Sequence, residues 1–165
     1  MIELAADSVQ VSLISNQRVI LLKELDAERY LPIWIGPFEA DAIAMELGGT
    51  RIARPLTHDL LRNVIHELGG QVSYVLINDL RDNTFYARIV LEANGEIMDV
   101  DSRPSDAIAL AVRTKSPVFV SEEVMEQASD TESPDVGKGA GEGESREEDE
   151  DLGAFRDFVD SLDLD

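Results

Sequence analysis

The chain has 165 residues, 44% of them apolar, which suffices for one packed domain with an appendage and excludes wholesale disorder. It has no cysteine, which excludes a disulfide scaffold, a thiolate zinc site, an iron–sulfur cluster and a cysteine nucleophile. Fourteen basic against 34 acidic residues give a net charge of −20, so adhesion to nucleic acid through a broad basic face is not expected.

Ile2, Leu4, Val9, Val11 and Leu13, then Ser15-Asn16-Gln17 and the run Val19–Leu22, read as a β-hairpin turning near Asn16. A third strand, Tyr30–Ile35, contains Pro32, which suits a sheet edge or a strand start. Gly36-Pro37 opens a helix, with Glu39 and Asp41 where the helix dipole favours negative charge, and Gly48-Gly49 ends it. Thr57 is the expected cap of a second helix carrying Leu60, Leu61, Val64, Ile65 and Leu68 on one apolar face, stopped by Gly69-Gly70.

Two strands follow, Val72–Leu80 and Thr84–Ala93, and Asn94-Gly95 is a hairpin turn into Glu96–Val100. The next helix, Ser105–Arg113, is apolar nearly all round, so it is expected in the middle of the fold. Pro117–Val120 reads as a last strand and Glu122–Ala128 as a short closing helix. The expected fold is α+β: a compact mixed sheet, made of an N-terminal hairpin and a meander, packed with three main helices over residues 1–128.

From 129 to 151 the composition turns to Gly, Ser and Glu, the signature of a disordered acidic linker. Leu152, Phe155, Phe158, Val159 and Leu162 then recur at helical spacing, so 152–165 reads as a short amphipathic helix, packed on its own domain or offered to a protein partner. Residues 129–165 hold 3 basic and 14 acidic residues and carry −11, so the remaining −9 lies on the domain itself. Eleven of the fourteen cations are arginines. An acidic, lysine-poor surface suits a protein working in concentrated salt, which screens self-repulsion; an ordinary acidic cytoplasmic protein is the plainer alternative. No stretch approaches the ~18 apolar residues of a membrane span, and no basic-then-apolar leader is present, so a soluble cytoplasmic protein is expected.

Three helix starts each place a carboxylate in their first turn: Glu39 after Gly36-Pro37, Asp59 after Thr57-His58, and Asp106 after Asp101-Ser102-Arg103-Pro104-Ser105. Free N–H groups there can hold a phosphate, and neighbouring carboxylates can hold a divalent cation; the plain alternative is capping and dipole pairing. Asp99 and Asp101 share a strand face one turn before Asp106, either as a hard-cation cluster or as a solvated strand end. Arg103 between them can grip a phosphate or pair with a carboxylate. His58 is placed to carry a proton, or is a surface histidine at a cap, and His66 reads as solvent-facing. Arg88 and Tyr86 either meet a nucleic-acid strand or make cross-strand pairs. There is no P-loop, GxGxxG, GxSxG elbow, HExxH or EF-hand loop.

The blocks Leu31–Ala40 (LPIWIGPFEA), Arg54–Leu60 (RPLTHDL), Thr84–Ala87 (TFYA) and Asp99–Ala111 (DVDSRPSDAIALA) occur in that order. Together they resemble the bifunctional nuclease domain family, also catalogued as a domain of unknown function, over about residues 1–128. The resemblance implies a compact α+β domain and nuclease activity on DNA and RNA. The matching residues give the expected site. Glu39, His58, Asp59, Asp101 and Asp106 would be catalytic, with Glu39, Asp59, Asp101 and Asp106 ligating Mg²⁺ or Mn²⁺. Arg88, Arg103 and Ser105 would bind substrate.

Two other readings stand beside it: a non-catalytic interaction module using the C-terminal helix, and a sensor of a small phosphorylated ligand. A homo-oligomer is expected from the hairpin edge and from Trp34 beside Pro32.

Overall fold

The computed structural model describes residues 1–130, and the linker and terminal helix expected beyond Ser129 lie almost wholly outside them. Seven strands form one sheet: β1 (Ile2–Val11), β2 (Arg18–Glu24), β3 (Tyr30–Ile35), β4 (Gly70–Arg81), β5 (Thr84–Ala93), β6 (Glu96–Ser102) and β7 (Val118–Val120). Four helices accompany it: α1 (Pro37–Leu47), α2 (Thr57–Glu67), α3 (Pro104–Thr114) and α4 (Glu122–Asp130). The spatial order is β3-β2-β1-β7-β4-β5-β6. Pro32 therefore lies on an edge strand, where a missing N–H costs least.

The expected hairpin and meander are both present, each as three antiparallel strands. Asn16 (φ 55°) makes the first turn, and Asn94 (φ 54°) with Gly95 (φ 80°) makes the β5–β6 turn, all left-handed conformations that these residue types tolerate. Strand β1 ends at Val11, so Leu13 belongs to the turn and is fully exposed.

β7 is only three residues long, yet it joins the two halves. It pairs antiparallel with β1 (Ile2 opposite Val120) and parallel with β4 (Val75 opposite Val118). Helix α3 supplies the crossover from β6 that a parallel pair requires. Ala107 to Ala111 of α3 are buried against Leu4, Ile20, Leu22, Ile43, Val75, Ile77 and Ala87, so the helix occupies the core as its sequence implied.

Helix α2 reverses its expected face. Its buried residues are His58 and Asp59, while Leu60 (57% exposed), Leu61, Val64 and Leu68 (74%) face outward. Ile65 alone of the predicted stripe packs against the core. The cause is α3, against which α2 packs: Asp106 and Arg113 of that helix take His58 and Asp59 as their polar partners from α2.

Candidate active site

The starts of α1, α2 and α3 come together. Asp106, in the first turn of α3, accepts from Arg103 Nε at Oδ2 (2.7 Å) and lies 3.0 Å from His58 Nε2 at Oδ1. A second nitrogen of Arg103 donates to Glu39 Oε1 in the first turn of α1 (2.9 Å). The result is a continuous chain, His58–Asp106–Arg103–Glu39, with residues from three helices. It borders a cleft of about 580 Å³ lined also by Phe38, Asp41 and Thr57.

Proline at the first position of α1 and of α3 fixes the chain direction into each helix without losing a needed hydrogen bond. Gly36 precedes α1 for a steric reason. A Cβ there would collide with the Glu39 carboxylate, so glycine leaves room for that group to reach Arg103.

Electrostatics favours the ionised forms of Asp106 and Arg103. Burial pushes the Asp106 carboxyl up, but the Arg103 and His58 hydrogen bonds and charges outweigh it and hold its pKa below the usual carboxylate value. Arg103 is raised, first by its hydrogen bond to Asp106 and then by that to Glu39.

Asp59 does not join this group. Its Oδ1 accepts from Arg113 Nε (2.9 Å), and its Oδ2 accepts from the Leu56 N–H (2.9 Å), which closes the first turn of α2. Leu56, not Thr57, is the capping position. Arg113, with a side chain 1% exposed, spends its other nitrogens on the carbonyls of Ala109 and Ala42. Burial raises the Asp59 pKa, but the Leu56 N–H and the Arg113 hydrogen bond and charge overcome it and leave it lowered. Asp59 is thus the internal counter-ion of a buried arginine.

Asp101 lies elsewhere too. It stands opposite Arg88 in the β5–β6 ladder and is exposed, and Arg88 reaches Asp99 at 3.8 Å. Tyr86 is covered by Arg81, 4.4 Å from its ring centroid. This strand surface makes the cross-strand pairs that were the alternative reading for Arg88 and Tyr86. Ser105 is buried and lines a second cleft with Arg103, and His66 is exposed.

Of the four expected metal ligands, only Glu39 and Asp106 come together, and the guanidinium of Arg103 already binds both. Among the described residues no group of three or more His, Asp or Glu side chains could hold a metal ion. As arranged, the donors fit an internal cation better than Mg²⁺ or Mn²⁺. Arg113 is the residue that sequence reasoning missed. Its signal was the single cation of α3, following the apolar run 107–112.

Among the described residues no helix is long and apolar enough to cross a membrane. The chain is 45% identical over 126 residues to an uncharacterized protein of Mycobacterium tuberculosis, covering 76% of this chain and 75% of that one. It is 31% identical over 105 residues to bifunctional nuclease 2 of Oryza sativa subsp. japonica, covering 62% of this chain and 32% of that protein. Bifunctional nuclease 1 of Arabidopsis thaliana is 28% identical over 105 residues, again covering 62% of this chain and 32% of that protein. The model of the bifunctional nuclease domain matches residues 20–133, which include every member of the His58–Asp106–Arg103–Glu39 chain, and the protein belongs to that family.

Proposed function

We propose that the cleft hydrolyses phosphodiester bonds of DNA and RNA. The observation that carries this reading is the hydrogen-bonded chain from His58 to Glu39 at the convergence of three helix starts. Helix N-termini attract a phosphate, and Arg103 adds a planar fork matched to its oxygens. Asp106 orients the His58 ring; with Nε2–H held on Asp106, the other ring nitrogen is the basic one. In this scheme His58 takes a proton from water as its oxygen bonds to phosphorus, and the P–O ester bond breaks with its electron pair going to the leaving oxygen. A solvent water protonates that oxygen, and His58 returns its proton to solvent. Glu39 holds Arg103 in place when no phosphate is bound.

No step here runs through a metal ion. Mg²⁺ or Mn²⁺ would need Arg103 to leave both carboxylates first. The test is cleavage of fluorescent DNA and RNA oligonucleotides by the full chain, in EDTA and with added Mg²⁺ or Mn²⁺. Turnover lost in His58→Asn and Asp106→Asn supports the proposal. Intact substrate under all three conditions overturns it. Strict dependence on the cation assigns Glu39 and Asp106 to metal binding instead.

A second reading, an interaction module, is favoured by the outward leucines of α2. An apolar stripe of this kind fits self-association or a protein partner. Sedimentation of the wild type against Leu60→Glu and Val64→Glu tests it: loss of a dimer in the variants supports the reading, and a monomeric wild type with no co-purifying protein removes it.

A further inference from the structure

The second cleft, of about 380 Å³, lies where the end of β3, the starts of β2 and β5 and the start of α3 meet. Its composition is unusual for a chain of net charge −20: Arg18 and Arg103 line it, and no carboxylate does. Arg18 donates to the carbonyl and side-chain oxygens of Asn16 (2.8 and 2.9 Å), both neutral acceptors, so its charge is not cancelled there. Two aromatic rings, Trp34 and Phe85, share the lining, and Trp34 is the single tryptophan of the chain. It is 44% exposed, which leaves apolar ring surface uncovered in water. Arg103 belongs to both clefts, so this one adjoins the proposed reaction site directly.

We infer that this cleft is a nucleobase subsite for a single strand of nucleic acid, with Trp34 as the stacking platform and Arg18 holding a flanking phosphate. The inference rests on the proposed phosphodiesterase reading and adds the means of gripping the strand. Every base has a π-face, so stacking on Trp34 tolerates any sequence. A base paired in a duplex has its faces covered by its neighbours and cannot use the platform. An arginine with no carboxylate partner among the described residues and an aromatic ring in one cleft suit a nucleotide, since base and phosphate lie side by side in the strand. The volume is in the range of small-ligand pockets, roughly 300–1,000 Å³.

The single tryptophan makes the test direct. Full-length protein in EDTA is titrated with a ten-nucleotide single-stranded DNA, with an abasic strand of the same length, and with the duplex form. Binding is followed separately by anisotropy of a dye on the nucleic acid. Tryptophan emission should be quenched by the base-bearing strand and left unchanged by the abasic strand and the duplex. Trp34→Leu should weaken binding of the base-bearing strand about tenfold, with most of it retained in Trp34→Phe. Arg18→Gln should weaken base-bearing and abasic strands alike.

Saturating anisotropy with unchanged emission overturns the inference, as does equal quenching by the abasic strand. Emission that responds to protein dilution but not to nucleic acid also overturns it, by placing Trp34 in a contact between copies. Cleavage without quenching removes the subsite and leaves the phosphodiesterase reading standing. Quenching without cleavage under any metal condition keeps the subsite and removes that reading.

Discussion

His58 Nε2 stands 3.0 Å from Oδ1 of Asp106, forty-eight positions later in the chain, so one hydrogen bond ties the first turn of α2 to the first turn of α3. If that pair moves the proton, His58→Asn should lower kcat by about 10²–10⁴-fold with little change in KM. Asp106→Asn should cause a similar loss, and the double variant should be scarcely worse than either single one, because the two groups act as a unit. Steady-state cleavage of a fluorogenic oligonucleotide checks this. Additive losses would mean that the pair does not function together.

Arg103 makes two ion pairs, but its side chain is 66% exposed, and solvent screens such contacts. Arg103→Lys should therefore change stability by less than about 1 kcal/mol in urea denaturation. It should nevertheless raise KM by about tenfold, since an ammonium cannot span two oxygens of a phosphate as a guanidinium does. Gly36→Ala should perturb the same residue from the other side by displacing the Glu39 carboxylate. Its expected signature is altered activity with a nearly unchanged unfolding midpoint.

The opposite pattern is expected at Asp59. Asp59→Ala leaves the Arg113 guanidinium buried without its counter-ion, which should cost about 3–5 kcal/mol. Replacing both residues with apolar ones should recover much of that loss. Chemical denaturation of the single and double variants tests the assignment. Asp101→Asn, on an exposed strand position, should alter stability by no more than about 0.5 kcal/mol and leave cleavage unchanged.

Asp59 and Asp106 both have lowered pKa values in the folded protein. A carboxyl depressed on folding contributes stability fully above its unfolded value, about 3.9, and loses it as pH falls through the folded value. Stability should thus be flat in these two groups near neutrality and fall below about pH 4. The slope of unfolding free energy against pH in that acid range should be shallower in Asp59→Asn, as measured by urea titrations at a series of pH values.

Local chemistry revealed the elements more fully than their placement. Asn94-Gly95, Pro37 and the apolar run of α3 each act within a few residues, and each appears where the sequence implied. The seam at β7 did not announce itself, because three apolar residues carry no periodicity that says which strands they join. In α2 the spacing of leucines established that a face exists, but two charged groups from another helix decided which face turned inward. The expected cluster of carboxylates divided for the same reason. Arg113 lies 54 positions from Asp59, and no spacing rule relates them.

β7 lies next to the end of the described domain but at the centre of its sheet. During synthesis the hairpin half and the meander half are both complete before residues 118–120 emerge, and neither has its inner neighbour until they do. Assembly of the described domain therefore waits on β7. A chain cut at Ser116 should yield two sheets of three strands with raw inner edges and a strong tendency to aggregate.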